Sequence, residues 1–433
     1  MAKEYLTATV IVCCAAALGQ ATPANPIRNG VLIMADDVGY ECFGCYGSQQ
    51  YTTPRIDALA RQGVRFTHCY SQQLCTPSRV KLMTGMSNAE NYAAFSVLRR
   101  DQTTLGQYFQ TAGFRTMVAG KWQLLAAEQY NESFRGKGSW PSDTGFDQSC
   151  LWQVNVFGKR YWQPLLNVNG RNQQFDQDTY GPDQCTTAIT DFISQASDKP
   201  FFVYYPMILV HSPFLPTPDS SSRKTKAAQQ NFEDMVAYMD VIVGRIVDHL
   251  VETGHANDTL VIFTSDNGTH RTLSSRLDGR LIQGGKGLPT DAGTRVPLVA
   301  YCPGTVPSGV TCDDLVDFND FLPTLLSATG IETPTHLEGI SFLPQLLGQL
   351  GTPRRVMYCY YCPRPERTVP IRFVRSKRWK LYGNGSFFDI QNDVLEQHHV
   401  DTQRLRPDAQ DAFEELSAAI QASPAKGQSL LEY

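Results

Sequence analysis

Two short acidic segments offer the makings of a metal site. Asp36-Asp37 ends the apolar run Val31-Leu32-Ile33-Met34-Ala35, and Asp266-Asn267-Gly268 ends the run Leu260 to Ser265. Either segment alone reads as a turn or cap, because Asp and Asn bond to nearby backbone in such places. Together they supply four side chains with an all-oxygen donor set, which suits a hard cation such as Ca2+ if the two runs lie close in space. Between them in sequence stands Cys75-Thr76-Pro77-Ser78-Arg79, followed by Lys81 and Thr84-Gly85. By itself this is a helix start, with Pro77 at the first helical position and a partly buried Cys ahead of it. Lys121 in Gly120-Lys121-Trp122, His211 in His211-Ser212-Pro213, and Lys286 upstream of Ala292-Gly293-Thr294-Arg295-Val296-Pro297 complete the residues of interest. On residue type alone the lysines are solvated surface groups and His211 is a satisfied loop histidine.

The elements that must position these groups alternate between apolar runs and helical patterns. The run 31–35, bounded by acids, suits a buried parallel strand. Thr53-Pro54 opens a helix through Arg61 that Gly63 stops. Thr104 to Thr111 reads as a second helix, Phe114 to Ala119 as a second strand, and Phe201 to Tyr205 and Leu260 to Ser265 as further strands, with a helix over 227–251 between these last two. The alternation predicts an α/β fold: a mostly parallel sheet sandwiched by helices, with ligands beyond the carboxyl ends of the strands. From Val356 the pattern changes to short alternating strands, 356–361 and 371–382, and a closing helix over 408–422, a small antiparallel C-terminal subdomain. The expected division is a leader over 1–21, a main domain over 27–350 and the subdomain over 351–433. Residues 126–175, rich in Asn, Gln, Gly and aromatic residues without periodicity, read as an insertion over the site, and the rings of Trp140, Trp152 and Trp162 offer either sugar-stacking faces or core.

Composition narrows the partners. A formal net charge of -4 over 433 residues provides no basic field for nucleic acid, which leaves a small molecule or glycan. Lys3, the apolar run Leu6 to Leu18 and the small residues Gly19-Gln20-Ala21 form a cleavable signal peptide, predicting a secreted or periplasmic protein. The run is shorter than the ~20 residues of a spanning helix, and no later run reaches that length, so no integral membrane segment is expected. Cys13 and Cys14 admit a lipoprotein, though Val10-Ile11-Val12 lacks the small residue expected before a lipidated Cys. Setting aside Cys13, Cys14 and Cys75, nine of twelve cysteines remain, an odd number that cannot all pair. In an oxidising compartment Cys302–Cys312 is the first expected disulfide and Cys359–Cys362 the second. A zinc site is disfavoured, because Cys359-x-x-Cys362 has no second ligand pair at convincing spacing.

The pentapeptide at Cys75, the downstream Thr84-Gly85, the earlier Asp-Asp and the later Gly-Lys-Trp resemble the sulfatase family, whose signature is Cys-x-Pro-Ser-Arg. The resemblance runs from Val31 into the C-terminal subdomain, with Lys380-Leu381-Tyr382 and Phe388-Asp389. It implies hydrolysis of sulfate esters by a nucleophile made from Cys75, which a maturation enzyme oxidises to formylglycine. The chemistry explains the need: a serine would leave a stable sulfate ester on the enzyme, whereas a gem-diol has a second hydroxyl that can collapse to the aldehyde and expel sulfate. The helix start and Arg79 would then face the sulfate. The resemblance assigns Asp36, Asp37, Asp266, Asn267 and the modified Cys75 as calcium ligands, Lys121 as a sulfate contact, His211 as a sulfate contact that helps protonate the leaving oxygen, and Lys286 as the other leaving-group contact. The implied substrate is a sulfated small molecule or glycan, with a sulfated carbohydrate preferred.

One position departs from the pattern. Gln123 stands where the family usually has His, the residue thought to act as base in expelling sulfate, and an amide cannot take a proton near neutral pH. His270, four residues after Asp266, is a possible substitute, and a solvated loop histidine is the equal alternative. Two other functions compete. A phosphodiester or phosphonate monoester hydrolase of the same superfamily would favour transition metals with His ligands, which metal analysis distinguishes. A non-catalytic glycan-binding relative would keep Cys75 as an unmodified thiol.

Overall fold

The apolar runs become neighbouring strands of one sheet in a computed structural model, which describes residues 27–425 and 427 except 131, 196 and 366. The leader over 1–21, with Cys13 and Cys14, lies outside the described residues. In chain order the strands are β1 (Asn29–Ala35), β2 (Val64–Tyr70), β3 (Arg115–Lys121), β4 (Gln148–Trp152), β5 (Leu165–Val168), β6 (Arg171–Gln174), β7 (Phe201–Pro206) and β8 (Thr259–Ser265). A separate hairpin, β9 (Ser274–Leu277) and β10 (Arg280–Gln283), is followed by β11 (Arg295–Tyr301) and β12 (Val310–Asp317). The large sheet runs β12-β2-β11-β8-β1-β7-β3-β4-β5-β6. Its central strands β8, β1, β7, β3 and β4 are parallel, and antiparallel pairs flank them on both sides.

Alternate residues of β1 feed opposite layers, as strand geometry demands. Val31 and Ile33 join one core and Leu32 and Met34 the other. The first layer is covered by helix Ala228–Glu252, whose Phe232, Met235, Val236, Met239, Ile242 and Val243 recur at helical spacing. The second receives helices Cys75–Thr84, Leu105–Thr111 and Phe321–Ala328. The C-terminal sheet is an antiparallel meander of β13 (Met357–Tyr361), β14 (Ile371–Arg375), β15 (Trp379–Tyr382) and β16 (Phe387–Asp389), with helix Pro407–Ala422 packed on it.

Several expectations need correction. The span 371–382 is a hairpin, β14 and β15, rather than one strand. Residues 126–175 are no pure insertion, since β4, β5 and β6 extend the main sheet within them. Trp152 is buried in the core, while Trp140 and Trp162 are partly buried against it. Both expected disulfides are absent. Cys302 follows β11 and Cys312 lies in β12, with β2 between the two strands, so about two interstrand spacings of ~4.8 Å separate them. A disulfide cannot reach that far. Cys359 and Cys362, an odd number of residues apart, face opposite ways: the first toward Gln72 and the second toward Thr368.

Candidate active site

The acids meet because β1 and β8 are adjacent parallel strands in register. Ala35 pairs with Ser265, and the Asp266 N–H donates to the Ala35 carbonyl at 3.0 Å, so both acidic segments leave the sheet side by side. Asp37 N–H then donates to Asp266 Oδ1 at 3.0 Å, and Asn267 Nδ2 to Asp37 Oδ1 at 2.9 Å. Beyond β7, residues 207–210 continue alongside the end of β1 through Asp36 N–H to Leu209 O and Val210 N–H to Asp36 O, both 2.8 Å, which delivers His211. Lys121 is the last residue of β3. Gly120 before it allows β3 to close on β7, since a Cβ there would meet the Pro206 carbonyl oxygen at 2.0 Å. Lys286 follows the β9–β10 hairpin and is fixed by its N–H to Thr269 O at 3.0 Å.

The helix carrying the pentapeptide begins at Cys75 itself, two residues earlier than the sequence reading, and ends at Gly85 in the left-handed region. All ten of its residues are buried, Arg79 and Lys81 included. The Ser78 hydroxyl donates to the Asp266 carbonyl, binding the first turn of this helix to the end of β8. Lys81 pairs with Asp317 at 2.6 Å and holds the helix in place.

All ten expected site residues come together. Lys121 Nζ lies 2.7 Å from Asp36 Oδ2, and Arg79 Nη2 lies 3.1 Å from Asp266 Oδ2. Lys286 Nζ pairs with Asp37 Oδ2 and lies 3.2 Å from His211 Nε2. The Cys75 thiol donates to Gln123 Oε1 at 2.9 Å. One ligand atom each of Asp36, Cys75 and Asp266 falls within 4.8 Å of the others, as does one each of Asp36, Asp37 and His211. Three buried polar atoms here have no hydrogen-bond partner: Asp36 Oδ1, Asn267 Oδ1 and Arg79 Nε. Buried polar groups are rarely left so. Two unsatisfied oxygens among crowded carboxylates fit a divalent cation, and an unsatisfied guanidinium N–H beside them fits an anion.

Electrostatics point the same way. Burial opposes ionisation of Asp36, yet Lys121, Arg79 and Lys286 outweigh it and hold its carboxyl far below the usual range. Burial and the charge of Asp36 instead push Asp266 up to about 8. Carboxylates this close cannot all ionise freely without added positive charge. Burial lowers His211 to about 4, which leaves its ring neutral, whereas Asp37 overcomes burial at Lys286 and raises its ammonium. Burial pushes the Cys75 thiol up.

Sequence reasoning passed over three neighbours. Arg160 Nη1 reaches His211 Nδ1 at 3.1 Å and stacks on Trp152 at 4.1 Å. Tyr130 OH accepts from Gln123 Nε2 at 3.0 Å and from Gln153 Nε2 at 2.7 Å. All three lie in the aperiodic stretch 126–175, where residue type alone carried no signal. His270 bonds to Thr272 at 2.9 Å and stands edge-on to Phe214, with no hydrogen bond or ring contact to Cys75 or Gln123.

Comparison with known proteins agrees with this geometry. The model of the sulfatase family matches residues 28–331. The chain belongs to the sulfatase family. It is a sulfuric ester hydrolase, and its C-terminal part, residues 286–422, matches the model described as N-sulphoglucosamine sulphohydrolase, C-terminal. Human arylsulfatase A is 31% identical over 414 residues, spanning 86% of this sulfatase and 77% of the relative. A protein solved in complex with its substrate D-glucosamine-2-N,6-O-disulfate superposes with a TM-score of 0.74 at 20% identity, over 91% of this chain and 97% of that one. The phosphonate monoester hydrolase of Agrobacterium radiobacter shares the fold, with a TM-score of 0.68 at 18% identity over 91% and 95% of the two chains. Among the described residues no helix is long and apolar enough to cross a membrane.

Proposed function

We propose that this sulfatase hydrolyses a sulfated carbohydrate outside the cytoplasm, with Cys75 oxidised to formylglycine by a maturation enzyme and Ca2+ held by Asp36, Asp37, Asp266, Asn267 and the modified residue 75. The observation that carries the reading is the buried cluster of Cys75, Asp36 and Asp266, whose ligand atoms lie within 4.8 Å while Asp36 Oδ1 lacks a partner. The bound cation would offset sulfate charge and lower the pKa of the attacking hydroxyl. A buried thiol with a raised pKa is a poor nucleophile, which supports conversion of Cys75 over use of its thiolate.

The chain's own groups divide the remaining work. Arg79 and Lys121, both 1% exposed, supply fixed positive charge for the sulfate oxygens. Gln123 Oε1 accepts a hydrogen bond from residue 75 and so orients its proton. On the other side Lys286 keeps its proton and His211 stays neutral, so the ammonium is the group able to protonate the departing oxygen while the imidazole positions it. With an oxygen of the modified residue 75 in place of the Cys75 sulfur, Asp36, Asp37, Asp266 and Asn267 would complete an all-oxygen set, which favours calcium and sulfate over a transition metal and phosphonate.

A mass spectrum of the tryptic peptide containing Cys75, taken on native protein, should show an aldehyde in place of the thiol. Cys75→Ala should abolish sulfate release while circular dichroism stays unchanged. Undiminished turnover by that variant would end the formylglycine reading, and an unmodified thiol in native protein would favour a glycan-binding role.

A further inference from the structure

Next to the reaction centre, on the Gln123 side, lies a cavity of about 250 Å³. Three segments far apart in sequence line it: Phe95, then Tyr130 and Phe134, then Arg364 and Arg367 from the connection between β13 and β14. Among its described lining residues none is acidic. Pockets that enclose a whole drug-sized ligand run from about 300 to 1,000 Å³, so this one suits a single ring. The Tyr130 hydroxyl is bonded to the Gln123 amide, whose other end touches the Cys75 thiol. One glutamine side chain and one tyrosine ring therefore separate residue 75 from the cavity.

We propose that this cavity is a subsite for a second anionic substituent, so that the substrate is a glycan bearing a sulfate or carboxylate on the sugar next to the one whose ester is cleaved. The proposal rests on the reading of Cys75 as the reaction centre. The Arg364 guanidinium provides forked donors that match the oxygens of either anion, and Arg367, which also has a partner within the protein, adds positive charge beside it. Phe95 and Tyr130, with ring centroids 6.1 Å apart, and Phe134 give apolar faces for the ring that carries it.

The arginines sit on a braced turn. The Arg364 carbonyl accepts from Arg367 N–H at 2.8 Å, from Thr368 N–H at 2.9 Å and from the Thr368 hydroxyl at 2.8 Å. Tyr92 OH donates to the Pro363 carbonyl at 2.9 Å and ties the turn to the main domain. Fixing the turn in advance reduces the ordering cost of binding.

The test measures binding to the full chain carrying Cys75→Ala, which cannot consume its ligand. Three disaccharides share one sulfate ester and differ only on the neighbouring ring, which bears a second sulfate, a carboxylate or a neutral hydroxymethyl group. At least one charged form should bind about tenfold or more tightly than the neutral one, the scale of one charge-assisted hydrogen bond. Whether sulfate or carboxylate gains more identifies the anion. Adding R364Q and R367Q together should erase the preference, whereas R364K with R367K should retain part of it, and added salt should shrink it. Equal binding of all three disaccharides, or a preference that survives R364Q and R367Q, would overturn the subsite. Failure of the unsubstituted protein to release sulfate would instead count against the reaction centre, because the binding preference is read without turnover.

Discussion

Replacing Gln123 with His would return a titratable group to the side of residue 75. The present amide is held at both ends, with Oε1 on the Cys75 thiol at 2.9 Å and Nε2 on Tyr130 OH at 3.0 Å. Because Nε2 is committed to Tyr130, the oxygen faces residue 75, and it can accept a hydrogen bond without removing a proton. Lack of a positioned base costs on the order of a hundredfold in the step it serves, about 2.7 kcal/mol at ~1.36 kcal/mol per tenfold. The backbone accommodates the exchange, since φ at Gln123 is +56°, a region that His enters more readily than most residues. With 4-nitrophenyl sulfate in a rapid-quench assay, the unsubstituted enzyme should release alcohol in a burst and then turn over slowly. Gln123→His should accelerate the slow phase by roughly ten- to a hundredfold and change the burst little. His270→Ala should alter neither phase, because that ring is engaged by Thr272 and Phe214. Burst-free kinetics in the unsubstituted enzyme, with no gain from Gln123→His, would show that expulsion of sulfate is not limiting and that the amide is no handicap.

Two further outcomes follow from the charges. Asp36→Ala or Asp266→Ala should lower activity and Ca2+ affinity together, because each removes one carboxylate from a single ligand cluster; full activity in chelated enzyme would exclude the cation from the reaction. Asp291→Asn should cost about 3–5 kcal/mol in denaturant unfolding, since it leaves Arg375, 1% exposed and stacked on Tyr70 at 3.7 Å, without its counter-ion. Burial opposes ionisation of Asp291, but Arg375 and Arg295 outweigh it and hold its carboxyl below the usual carboxylate range. A carboxyl whose folded pKa lies below its unfolded value stabilises the fold fully at pH well above about 4, and that contribution disappears as pH falls through the folded value. Urea midpoints of native and Asp291→Asn protein should therefore converge in acid, and a constant difference down to the acid limit would refute the assignment.

The sequence was most readable where chemistry and periodicity coincide. The apolar runs ending in Asp36-Asp37 and Asp266-Asn267 are central strands, and central parallel strands are recognisable because both faces are buried. Strand β2 escaped notice because its alternating Val64-Arg65-Phe66-Thr67-His68 lacks such a run, although it separates Cys302 from Cys312 and so rules out the first expected disulfide. The second was misread for a local reason, since spacing along a chain says nothing about which face of a strand a thiol occupies. Strand β6 was hidden by its polar composition, as edge strands often are, and it is exposed throughout.

The same contrast separates the parts of the site. Asp36, Cys75, Arg79 and Asp266 sit on or directly after regular elements, so local pattern fixes where they point, and the parallel register of β1 with β8 does the rest. Tyr130, Gln153 and Arg160 lie outside any helix or strand; Tyr130 meets the centre through Gln123, Arg160 through His211, and Gln153 through the Tyr130 hydroxyl. Their positions depend on tertiary closure of 126–163 against β3 and β7, which no local periodicity encodes. Loops carry much of the specificity of enzymes for this reason, since a rigid sheet fixes the reacting groups while the loops around it are free to vary. In this sulfatase the separation is physical: Asp36 and Lys121 are fixed by the sheet, whereas Arg364 and Arg367 reach the cavity from a braced turn of the small antiparallel sheet.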